Sequence, residues 1–174
     1  MKIADVRAFL INPAPRKPRW NVSKHLLLVR VETDEGIAGW GEAFTLRDRE
    51  QSLVQNVASL RPYLIGRDPF RIKEFSHWAS NEFAEGRGAL ELYCAVSGIE
   101  QALWDIVGKA LETPVYNLLG GPCRDRIRVY ANGWTSGAKT AREMADRAAE
   151  VVGMGFNAIK LYPFQNDESA AAIA

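Results

Sequence analysis

Cysteine and histidine are scarce, with two of each in 174 residues. A disulfide framework and a four-thiolate zinc site are therefore excluded, and Cys94 reads as a buried residue of a long helix. His25 and His77 each stand without a cluster of potential ligands and read as structural residues. Charge of one sign is lacking too: 22 basic and 21 acidic residues leave a formal charge of +1, which argues against bulk nucleic-acid binding. No apolar run is long enough for a membrane span or a secretory signal, so a soluble cytoplasmic protein is expected. No repeat occurs, and the one biased stretch is the alanine-rich end at Ala170–Ala174, which reads as a helix cut short. A complete (β/α)8 barrel needs about 250 residues and is beyond this length.

What is present falls into two blocks. Residues 2–11 alternate, with Ala4, Val6, Ala8 and Leu10 set against Asp5, Arg7 and Phe9, which predicts a strand with one buried side. Asn12–Ser23 is a polar, proline-containing loop carrying the basic and aromatic run Arg16-Lys17-Pro18-Arg19-Trp20. Lys24–Thr33 and Ile37–Ala43 predict two more strands about an Asp34-Glu35-Gly36 turn, giving an antiparallel meander. Leu53, Val57, Leu60 and Leu64 mark a helix closed near Gly66, and Asp68-Pro69 opens another. Leu92, Ala95, Ile99, Leu103, Ile106 and Ala110 then recur in steps of three and four, one apolar stripe of a long helix ended by Thr113-Pro114. Gly98 and Gly108 cost helix propensity and are expected where another element packs close. The opposite face carries Glu100, Gln101, Asp105 and Lys109, the last two a favourable pair four apart.

After Pro122 the pattern changes. Arg126–Ala131 predicts a short strand, Thr140 with Glu143 forms a capping box, Gly153–Gly155 ends that helix, and Ala158–Tyr162 predicts a second strand. Strand, helix and parallel strand make one βαβ unit. Gly153-Met154-Gly155 lacks the third glycine of a dinucleotide fingerprint and follows a helix, so it is a loop.

Ala95, Gly98, Ile99, Glu100, Ala102, Leu103, Asp105, Gly108, Lys109, Pro114, Leu118 and Gly120 carry a specific resemblance. Through them, and through the hairpin Gly36-Ile37-Ala38-Gly39-Trp40-Gly41-Glu42, the chain resembles the mandelate racemase and muconate lactonising branch of the enolase superfamily. The resemblance implies an α+β N-terminal capping domain over 1–122, a three-stranded antiparallel meander followed by helices. Residues 123–174 are then the first βαβ unit of a (β/α)8 barrel, incomplete in this chain. Lys-x-x-Pro-Phe from Lys160, with Ala131-Asn132-Gly133-Trp134, is most similar to the acid-sugar dehydratases, and the Lys-x-Tyr pair to a galactarate dehydratase-like variant.

In such barrels chemistry sits at the carboxyl ends of strands, and Lys160 and Tyr162, two apart, point to the same side. The resemblance implies that Lys160 meets the substrate carboxylate while Tyr162, in place of the family's second lysine, moves the proton on the α-carbon. A neighbouring ammonium would favour the phenolate such a base needs. The expected reaction is dehydration of an aldarate or aldonate through an enediolate, making the full-length protein a hydro-lyase. A racemase, cycloisomerase or epimerase is the alternative within the superfamily, and a non-catalytic capping fragment the alternative outside it. Mg²⁺ is the implied cofactor, with ligands on later strands. No residue here is assigned to it, and the 174-residue chain alone is expected to be inactive. The family's flap over the barrel mouth corresponds to Arg16 and Trp20, its second specificity loop to Phe44 and Thr45, and Tyr93 and Asn132 complete the expected substrate contacts. The expected partner is a small sugar acid, with neither nucleic acid nor membrane, in a symmetric homo-oligomer.

Overall fold

A computed structural model describes residues 1–12, 25–45, 48–83 and 85–161. They divide into two units, the first ending at Cys123 and the second beginning at Arg124.

The first unit opens with three strands, β1 (Ile3–Ile11), β2 (Leu26–Thr33) and β3 (Ala38–Ala43), paired antiparallel in the order β1-β2-β3. The β2–β3 turn closes on Gly36, whose φ of 83° is left-handed, while Thr33 Oγ1 donates to the Ile37 carbonyl at 2.9 Å. Alternation holds through β2, where Leu27, Val29 and Val31 are fully buried. It breaks once in β1, because a register shift between Ile3 and Asp5 turns Ile3 inward and leaves Ala4 exposed.

Helices α1 (Glu50–Leu64), α2 (Ile72–Trp78), α3 (Leu90–Ala110) and α4 (Val115–Leu118) follow. Asp68-Pro69 occupies the turn before α2, with Asp68 Oδ1 accepting from the Phe70 N–H at 2.9 Å, so that helix starts at Ile72. Leu53, Val57, Leu60 and Leu64 of α1 and Ala95, Ile99, Leu103 and Ile106 of α3 cover the inner face of the sheet. This is the meander and helices expected of a capping domain.

Close approach of α3 to the sheet has a backbone cause. A Cβ on Gly39 would lie 2.0 Å from the Ala102 carbonyl oxygen, and one on Gly41 would lie 2.0 Å from that of Gly98. Gly98 itself faces Val29 and Ala43, where a Cβ would sit 3.0 and 3.1 Å from their side chains. Gly108 makes room instead for the chain reversal at Thr113, whose carbonyl oxygen would lie 2.9 Å away from an added Cβ.

The polar face of α3 does more than the periodicity predicts. Gln101, Asp105 and Lys109, spaced by four, run along the outer edge of β3 and satisfy it as a fourth strand would. Asp105 Oδ2 accepts from the Trp40 N–H at 2.9 Å, and Gln101 Oε1 accepts from the Glu42 N–H at 3.2 Å while its Nε2 donates to the Glu42 carbonyl at 3.1 Å. Lys109 Nζ donates to the Ala38 carbonyl and to Asp105, each at 2.7 Å. Replacing Asp105 by Leu should therefore cost about 1 kcal/mol, the net worth of a hydrogen bond lost at an exposed strand edge. Thermal unfolding of the variant checks this, and a loss no larger than that of an ordinary surface substitution would remove the edge role.

In the second unit, α5 (Ala141–Gly153) begins at Thr140, whose hydroxyl accepts from the Glu143 N–H at 3.2 Å. The Glu143 carboxylate reaches back one residue further than a simple capping box, to the Lys139 N–H at 2.7 Å, and that bond holds its pKa below the usual carboxylate value. Val151 of α5 packs with Ala131 and Trp134 in a small second core. The two strands predicted around α5 are reduced, among the described residues, to one parallel bridge, Ala131 with Ile159. It is made by Ala131 N–H to the Ala158 carbonyl at 3.0 Å and Lys160 N–H to the Ala131 carbonyl at 2.8 Å. A lone parallel pair has no second neighbour to hold its outer edges, so pairing does not propagate.

Candidate functional site

The expected site residues lie in both units. In the first unit, Ile11 pairs with Leu26 and Leu27 with Ala43, so the segments leaving β1, entering β2 and leaving β3 all meet at one end of the sheet. Phe44 stands at that end with 53% of its surface exposed. Thr45 beside it is buried, and its hydroxyl donates to the His25 carbonyl. Tyr93, in the first turns of α3, is 41% exposed and lies against Gly88, where a Cβ would come within 2.9 Å of the ring. Arg16 and Trp20 lie outside the described residues.

A histidine–carboxylate contact and an ion pair that the sequence does not announce bind this end together. His25 Nδ1 lies 3.1 Å from Glu50 Oε1 at the start of α1, and Arg49 pairs with Glu91 at the start of α3. Each carboxylate is held below its usual pKa first by its own backbone N–H in the opening turn of its helix. The partners are 25 and 42 residues apart in sequence, so no local pattern could have joined them. The acidic residues in the first turn of each helix, Glu50 and Glu91, were the only available hint. Cys94, on the same turn of α3, has its thiol pKa pushed up by burial and by Glu91.

In the second unit, the parallel bridge sets the chain directions alike, so Asn132 and Lys160 both follow the bridged residues at its carboxyl end. Asn132 Oδ1 accepts from the Gly133 N–H at 3.0 Å, a turn that swings the chain away toward Trp134. Tyr162 lies outside the described residues, so the Lys-x-Tyr pair is placed through Lys160 alone. Trp134 is buried, and among the described residues its indole Nε1 has no hydrogen-bond partner. Among the described residues no three His, Cys, Asp or Glu side chains gather where a cation could be held, so a divalent metal has no site in these residues. No helix among them is long and apolar enough to cross a membrane.

Comparison with known proteins agrees with this architecture. The family model described as the mandelate racemase / muconate lactonizing enzyme N-terminal domain matches residues 15–120. A D-galactonate dehydratase of Verminephrobacter eiseniae is 40% identical over 162 residues, 92% of this chain and 38% of that protein. A D-gluconate dehydratase of Thermoproteus tenax is 37% identical over 164 residues, 93% of this chain and 32% of that protein. Among solved structures, a mandelate racemase/muconate lactonizing enzyme from Jannaschia superposes with a TM-score of 0.81 at 30% identity, over 95% of this chain and 44% of its own. A member of the enolase superfamily from Salmonella typhimurium gives 0.77 at 30% identity, over 93% and 42%. The chain thus spans between about a third and two fifths of the length of the two curated relatives.

Proposed function

Because the chain belongs to the mandelate racemase / muconate lactonizing enzyme family, we propose that the whole protein dehydrates a six-carbon sugar acid. The observation that carries this is the 40% identity, over 92% of the chain, to a protein named D-galactonate dehydratase. That name, with D-gluconate dehydratase for a second relative, favours an aldonate over the galactarate-like diacid suggested by the Lys-x-Tyr pair.

The chemistry follows from the acid. The hydrogen on the carbon beside a carboxylate is weakly acidic, and removing it as a proton builds a second negative charge on the carboxylate oxygens. Lys160, at the carboxyl end of the parallel pair, supplies a fixed cation for that charge. Tyr162, two residues on, takes the proton in its phenolate form, which the Lys160 ammonium favours. The hydroxyl on the next carbon then leaves, taking up one proton from solvent to become water, and the enol becomes a 2-keto-3-deoxy acid by gaining a solvent proton at C3 as its own O–H proton is released. The proposed substrate contacts are Phe44 and Tyr93 in the first unit and Asn132 in the second. Mg²⁺ is the cofactor this proposal includes for the whole protein. Among the described residues no three potential ligands gather to hold it. A cytoplasmic homo-oligomer completes the proposal.

Formation of keto acid by the whole protein from a panel of aldonates and aldarates tests it, with and without a chelator. D-galactonate or D-gluconate should be consumed with Mg²⁺ and spared without it; failure on every sugar acid would overturn the proposal. Substrate choice should lie partly in the segment between β1 and β2. Arg16→Ala and Trp20→Ala together should raise KM about tenfold while leaving thermal unfolding unchanged, as for side chains lost from a loop. Unaltered kcat/KM on every acid of the panel would leave that segment a solvated loop.

A further inference from the structure

The polar groups at the loop end of the sheet have no role in the proton chemistry, yet they are not scattered. His25 immediately precedes β2, Thr45 follows β3, Glu50 opens α1 and Glu91 lies in the first turn of α3. Through the Thr45 hydroxyl on the His25 carbonyl, the 3.1 Å His25–Glu50 contact and the Arg49–Glu91 pair, four elements are tied at one place. The chain enters this knot at Asp48 with φ at 63°, a left-handed conformation uncommon outside glycine.

Stability does not require the knot. The same helices are already fixed on the sheet by Leu53, Val57, Val29 and Ile99, all essentially without exposure. Partly exposed ion pairs add little to that. Phe44 and Tyr93, at this end, keep 53% and 41% of their surface exposed. We propose that His25 and Glu50 are positioning residues: with Thr45 and the Arg49–Glu91 pair they fix Phe44 and Tyr93 in the arrangement that reads the distal carbons of the substrate. This rests on the dehydratase proposal above, which supplies the substrate but not the knot.

The test uses the whole protein, with kinetics on the best acid of the panel and amide hydrogen exchange measured in parallel. His25→Ala and Glu50→Gln should each raise KM about tenfold with kcat within about twofold, and the double variant should be no worse than either, as expected of partners in one contact. His25→Asn, which restores an N–H donor near the Nδ1 position, should return KM to within about twofold of the original. Amides of residues 44–50 should exchange about tenfold faster in His25→Ala while those of Val29 and Val31 keep their protection. An unchanged KM would overturn the proposal, and so would a raised KM with unchanged exchange, which would make His25 a direct contact. Should the unaltered protein dehydrate no sugar acid, the dehydratase proposal falls. Exchange alone then decides, and equal rates at 44–50 with and without His25 would overturn the knot as well.

Discussion

Replacing Tyr162 by Phe in the whole protein is expected to leave substrate binding nearly intact and to lower turnover by about 10² to 10⁴, the usual worth of a positioned base. Phe keeps the ring and its packing and removes the only titratable group at that position. Exchange of the substrate α-hydrogen with solvent deuterium should be lost with turnover, since both need the same proton transfer. Lys160→Met should be slow for another reason: the developing charge loses its cation, so carboxylate binding weakens together with turnover. The two variants therefore separate in KM. Steady-state kinetics beside an isotope-exchange assay reads the difference. Near-normal turnover in Tyr162→Phe would leave Tyr162 a packing residue and put the base elsewhere.

The second large effect belongs to the fold. Gly41→Ala in the 174-residue chain places a methyl group 2.0 Å from the Gly98 carbonyl oxygen and 2.8 Å from the Gln101 Cβ, so α3 must move off the sheet or β3 must leave it. Neither obstacle is the far end of a flexible side chain. The cost should be about 3 kcal/mol or more, at the upper end of overpacking, and Tm should fall by about 10 °C or more. Displacement of α3 would also pull Gln101 and Asp105 from the strand edge they satisfy. Gly153→Ala is the control, because an added Cβ there meets nothing within 4 Å and alanine favours helix. A Gly41→Ala protein as stable as that control would mean that α3 does not press on β3 as described.

Local patterns made most of the first unit legible. The β2 alternation, the Gly36 turn and the α1 and α3 stripes each depend on neighbours within a few residues, and all appear in the structure. The need for Gly98 could also be read, because glycine inside a helix has few other uses. Effects depending on distant partners were not legible. The register shift after Ile3 inverts the start of β1, and only pairing with β2 creates it. Asp105 and Lys109 look like a surface pair on a helical wheel, and only the position of β3 makes them its edge. His25 likewise has no partner until α1 brings Glu50 to it. In the second unit the capping of α5 was legible, whereas among the described residues the flanking segments pair only at Ala131 and Ile159, since strand pairing depends on neighbours that a local pattern does not supply.

The proton itself gives the most direct test. D-galactonate and D-gluconate are incubated separately with the whole protein and Mg²⁺ in deuterium oxide and followed by proton magnetic resonance. The account predicts that one acid loses its C2 hydrogen signal as a keto acid appears carrying a single deuteron at C3. Deuterium entering C2 with retention of the 3-hydroxyl would make the protein a racemase or epimerase. An untouched C2 signal in both acids, with the protein folded and Mg²⁺ present, would contradict the account.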